Sequence, residues 1–79
     1  MNPQVIPLIF LPQGSKATLS RISAGVGLES RLAALGLTPG TELCVFQQNG
    51  GTLLIGVRDS RLAIGSGVAQ KIMVEVLED

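Results

Sequence analysis

The sequence predicts a mainly β domain, a small antiparallel barrel of about five short strands with one short α-helix between the first and second. Three observations carry that expectation. Apolar and polar residues alternate in short runs; Gly, Pro and Asn separate the runs where a chain reverses; and only the segment around Leu28, Leu32 and Leu35 keeps a helical period. Closing such a sheet hides strand edges, and a core drawn from alternate strand residues suits a chain whose only aromatics are Phe10 and Phe46.

The elements follow in order. Residues 1–14 read as an apolar N-terminal arm, in which Pro7 and Pro12 hold Ile6 and Leu11 extended. Val5 to Leu11 either pads the core or offers a sticky surface to a partner. With two prolines and no positive charge before it, this stretch is neither a secretion signal nor a membrane helix, which needs about 20 apolar residues.

Residues 16–77 read as the barrel. Lys16 to Ile22 alternates, with Ala17 and Leu19 on one face, and predicts the first barrel strand. Leu28, Arg31, Leu32 and Leu35 then recur at i, i+3, i+4 and i+7, an amphipathic helix with Gly27 as N-cap candidate and Gly36 as the left-handed residue that ends it. Leu37 is placed to fold back on Leu32, and Thr38-Pro39-Gly40-Thr41 fits a type II turn.

Glu42 to Gln47 carries Leu43 and Val45 on one face and Cys44 and Phe46 on the other, so this strand is expected to be covered on both sides. Gln48-Asn49-Gly50-Gly51 makes a hairpin turn into Thr52 to Arg58, where Leu53, Ile55 and Val57 share a face and Gly56 marks a bulge or a close backbone approach. Asp59-Ser60 reverses the chain into a short strand, Arg61 to Ile64. A flexible Gly65-Ser66-Gly67, one helical turn at Val68 to Lys71 and a last strand, Ile72 to Leu77, complete the barrel.

Composition removes many functions. Six basic and six acidic residues cancel, which argues against nucleic acid or an anionic membrane surface as a partner. With no His, Trp or Tyr and one cysteine, Cys44, the chain alone builds no Ser-His-Asp triad, no Cys-His pair, no closed zinc site and no intramolecular disulfide. No enzyme is expected, no cofactor and no metal ligands; Glu75, Glu78 and Asp79 read as a solvated terminus, and the lone thiol fits a reducing, cytoplasmic compartment. Gly25-x-Gly27 and Gly65-x-Gly67 are each half of a nucleotide fingerprint without its context, and the missing Trp and Tyr exclude an aromatic groove for polyproline.

The block Arg31-Leu32-x-x-Leu35-Gly36-Leu37-x-Pro39-Gly40, followed by Leu62-Ala63-Ile64-Gly65 and by Ala69-x-x-Ile72-x-Val74, resembles the ferrous iron transport protein A (FeoA) family of SH3-like barrels, over roughly Lys16 to Val76. Leu32, Leu35, Gly36, Leu37, Pro39 and Gly40 form the fold-defining motif. Two stretches depart from the family pattern: Gln47 to Thr52 is short and lacks an Asp-Pro pair, and Gly65 and Gly67 stand where basic residues are more usual.

The resemblance implies a cytoplasmic, non-enzymatic accessory of ferrous iron uptake that binds and modulates the membrane transporter carrying a GTP-binding domain. It implies as the alternative a free-standing regulatory domain acting on a metal-dependent repressor. Transition-metal binding comes with the family only at a general level, and weak homo-oligomerisation stays open. A mean hydropathy of +0.45 points to apolar area available for a partner. Leu54 and Leu77, with Arg31, Arg58 and Arg61 as a polar rim, are the candidate partner-binding residues, alongside Val5 to Leu11.

Overall fold

The computed structural model describes residues 4–77. The arm is part of the fold. Val5–Pro7 forms β1, a 3-10 turn follows at Leu8–Phe10, and the side chains of Leu8 and Leu11 are fully buried while Ile6 and Ile9 pack against the core. Burying two leucines contributes about 1.5–3 kcal/mol each, which holds the segment down despite its prolines.

Lys16–Ile22 forms β2 with the bounds its alternation predicts. The helix α1, Val26–Ala34, begins two residues earlier than expected, because Gly25 and not Gly27 is its N-cap. The apolar stripe could not reveal this, since Val26 faces solvent. At the other end Gly36 takes φ +88°, and its N–H bonds to the Ala33 carbonyl at 2.9 Å while the Leu37 N–H bonds to Leu32 at 2.9 Å. That pair of bonds is a Schellman motif, with Leu32 and Leu37 both buried in the core. Leu35, expected on the inner stripe, is half exposed instead, because as the helix C-cap it lies beyond the last turn that packs inward.

The type II turn is present: Gly40 has φ +94° and the Thr41 N–H reaches the Thr38 carbonyl at 3.0 Å. The buried Thr41 hydroxyl donates to the Gly36 carbonyl at 3.3 Å, tying the turn to the helix end. Gly40 N–H to Leu19 O and Leu19 N–H to Thr41 O, both 2.8 Å, fasten the turn to β2.

Glu42–Asn49 (β3) and Thr52–Val57 (β4) are joined at Gly50-Gly51, and Ser60–Gly65 (β5) follows through Arg58-Asp59. The helical turn α2 is Ser66–Ala69 and not Val68 to Lys71, so Gly65 closes β5 and Ser66 and Gly67 belong to the helical turn; fully buried Ala69 anchors it on the core. Ile72–Val76 (β6) completes the chain. The strands make one antiparallel sheet in the order β1-β6-β2-β3-β4-β5, one strand more than expected because β1 pairs with β6. β1 and β5 are the terminal strands, with α2 packed against the 3-10 turn.

The inner face supplies the core: Ala17, Leu19, Leu43, Val45, Leu53, Ile55, Ile72 and Val74 are each no more than 2% exposed. The outer face of β3 is not covered as expected. Phe46 is 42% exposed and Cys44 half-buried, because among the described residues no helix or strand packs over this side of the sheet.

Candidate functional site

The uncovered side of β3, β4 and β5 carries a cleft of about 640 Å³. Its floor follows from register. Cys44 lies opposite Gly56, and Gly56 opposite Arg61, so the three share the outer face. Between Val45 and Gln47 the β3–β4 pairing shifts by one residue, leaving Phe46 as the extra residue of a bulge. The bulge lays the Phe46 ring over Gly56: a Cβ built there would stand 2.5 Å from Phe46 Cε2 and 3.1 Å from Cys44 Sγ. Gly56 is thus the close approach that its place in a strand suggested, and it is closed over by the ring.

Arg61 lies over the same ring, its Cζ 4.5 Å from the centroid, a cation–π contact worth about 0.5–1 kcal/mol at an exposed site. Next to it Arg58 adopts φ +55° in the β4–β5 connection, in the left-handed region that favours glycine. Lys16 and Glu42 line the opposite wall, and Asp59 and Ser60 the near one. The cleft therefore offers an aromatic face, a part-buried thiol and three cations against two carboxylates.

Of the residues the sequence singled out, Arg58 and Arg61 converge on this cleft. Leu54 is half-buried on the same outer face, opposite Gln47 and Ala63. Leu77 is exposed just past β6, its N–H bonded to the Lys16 carbonyl at 3.1 Å. Arg31 stands apart on α1, whose residues line none of this cleft. Among the described residues of the arm, Val5 and Phe10 are the exposed large apolar side chains. A smaller groove of about 280 Å³ runs between α1 and Pro39, beside the exposed Val26. Phe46, Cys44 and Gly56 were not singled out as a site, although the apolar outer face of β3 and the glycine inside β4 were both visible.

Among the described residues no buried side-chain polar atom lacks a partner, and no three His, Cys, Asp or Glu residues are placed to hold a metal ion. Glu78 and Asp79 lie outside the described residues. No helix among them is long and apolar enough to cross a membrane.

Residues 6–76 match the family model described as the FeoA domain. A Methanocaldococcus jannaschii protein named "Putative Fe(2+) transport protein A" is 39% identical over 72 residues, covering 91% of this chain and 88% of that one. The crystal structure of an iron uptake regulatory protein, FeoA, superposes with a TM-score of 0.87 at 35% identity, over 94% of this chain and 100% of that one. A manganese-dependent transcriptional repressor contains the same fold, with a TM-score of 0.87 at 25% identity; 98% of this chain is covered but only 44% of the repressor. With the family model spanning nearly its whole length, and a relative so similar, the chain belongs to the FeoA domain family.

Proposed function

We propose that this domain is a cytoplasmic, non-enzymatic accessory of ferrous iron uptake, which binds and modulates the membrane component that carries the GTP-binding domain and the permease. The observation that carries this reading is the correspondence along the full length of a solved FeoA chain. Iron is the transporter's cargo in this reading, not a resident of the domain.

The outer face of β3 to β5 is the part of that surface best suited to docking. Phe46 and Arg61 are residue types enriched at protein interfaces, and here they are stacked together in advance, which reduces the entropy lost on binding. Arg58 supports the same face, because a residue held at positive φ is more often found where geometry serves a contact.

The test is capture of the detergent-solubilised transporter by the purified domain, with GTP hydrolysis and iron uptake measured with and without it. Co-elution with wild type and loss with Arg61→Glu is the expected result. No capture by a folded wild-type domain would overturn the reading.

A second reading, action in trans on a metal-dependent repressor, is favoured by the 98% coverage of this chain within the repressor fold. The same bait separates the two: it predicts recovery of a DNA-binding protein and no effect on transport.

A further inference from the structure

We infer that the free edge of β5 is a docking site for an extended, acidic segment of a protein partner, which joins the sheet as an additional antiparallel strand. This deepens the proposed function, on which it rests for the partner being a protein, by naming the kind of segment that is held and what holds it.

The edge is defined by register. Val57 and Ser60 flank a two-residue connection and so exchange both backbone hydrogen bonds, and alternation makes Leu62 and Ile64 the next bonded positions on β5. The Ser66 N–H to Gly51 carbonyl bond at 2.8 Å continues that alternation one step beyond the strand. Arg61 and Ala63 therefore point both backbone groups away from β4, and Gly65 points its N–H the same way. β5 is the last strand in the sheet order, and among the described residues these outward groups take no backbone partner.

The two ends of the sheet differ. β1 is three residues long and ends in Pro7, which removes a donor and blunts that edge. β5 is six residues long, with no proline and no register shift against β4. Such an edge, left unblunted, is the template that strand addition uses.

Charge selects the occupant. Arg61, held by the Phe46 ring 4.5 Å away, and Arg58 at the head of the hairpin stand beside this edge, and within the β4–β5 hairpin Asp59 is the one carboxylate against them. A carboxylate on the incoming strand can bond the Arg61 guanidinium, and the small side chains of Ala63 and Gly65 leave room for neighbouring residues on the outer face. A second copy adding its own β5 would bring four arginines and two aspartates to one seam, a net repulsion that an acidic strand removes.

The experiment uses the full chain with two short synthetic peptides, one alternating valine with glutamate and one alternating valine with lysine, read by fluorescence polarisation and by backbone amide NMR. The glutamate peptide is expected to bind at least about tenfold more tightly, a difference of about 1.4 kcal/mol, and to slow amide exchange at Arg61, Ala63 and Gly65. Ala63→Pro, which removes an outward donor at an edge where proline is tolerated, and Arg61→Glu should each weaken binding by about tenfold or more. Arg61→Glu keeps the test decisive if Ala63→Pro does not fold.

Equal binding of the two peptides, no binding, or shifts confined to α1 would overturn the inference. So would protection of the β5 amides by self-association without peptide. Transporter capture with Ala63→Pro separates the two claims: capture unchanged from wild type sinks the edge and leaves the proposed function standing. Absence of capture by wild type, with peptide binding intact, does the reverse.

Discussion

Gly56→Ala tests the Phe46 platform through a coupling that its geometry fixes in advance. The added Cβ would lie 2.5 Å from Phe46 Cε2 and 2.9 Å from Cζ, closer than real contacts allow, so the ring must swing away. Phe46 is 42% exposed, and its free end can move without disturbing the core. The loss is then the cation–π contact with Arg61, about 0.5–1 kcal/mol, together with the part of the ring that leaves Gly56 for water. Replacing a strand glycine whose φ is not in the left-handed region returns about 0.5–1 kcal/mol.

In wild type the two effects nearly cancel, and Gly56→Ala should change stability by less than about 1 kcal/mol. In a Phe46→Ala background only the 3.1 Å approach to Cys44 Sγ remains, so the same substitution should stabilise by about 0.5 kcal/mol. The double-mutant cycle should give a coupling of about 0.5 kcal/mol between the two positions. Urea unfolding followed by far-ultraviolet circular dichroism is the assay, since the chain has no Trp or Tyr to report by fluorescence. Identical effects of Gly56→Ala in both backgrounds would refute the stacking.

The remaining predictions concern the frame around this face. Leu11→Ala should destabilise by about 2–5 kcal/mol in urea unfolding although it lies in the N-terminal arm, because Leu11 is fully buried. Phe10→Ser, one residue away and 71% exposed, should stay within about 0.5 kcal/mol. Gly36→Ala should lose about 1–2 kcal/mol to backbone conformation alone, since the nearest atom to the new Cβ is Val57 Cγ1 at 4.0 Å. Arg58→Gly should raise the urea midpoint by relieving φ +55°, a gain of about 1 kcal/mol, while weakening capture of the transporter.

Much of the frame was legible in the residues. β2, the Schellman end at Gly36 and the type II turn at Thr38–Thr41 each rest on local rules, alternation or a glycine forced to positive φ, and all three were read correctly. What escaped depends on tertiary context. β1 is too short and too proline-rich to alternate, and it becomes a strand only because β6 lies beside it. The start of α1 slipped because two glycines compete for the cap and Val26 faces water.

The candidate site was half visible. Arg58 and Arg61 were singled out and do meet at the cleft, but their link to Phe46 passes through a bulge, which no period of two can signal. Arg31 and Leu77 share with them the chemistry of an interface rim without sharing their place. The apolar residues on both sides of β3 suggest that Cys44 and Phe46 are buried, yet among the described residues no further element packs on the outer side.

The most direct measurement is capture of the solubilised membrane transporter by immobilised domain, comparing wild type with Arg61→Glu after far-ultraviolet circular dichroism shows that both are folded under the capture conditions. Wild type should retain the transporter, and the charge reversal, which lies outside the core, should release it. Equal retention by both proteins would contradict a docking face on β3 to β5, and retention by neither would contradict the accessory role itself.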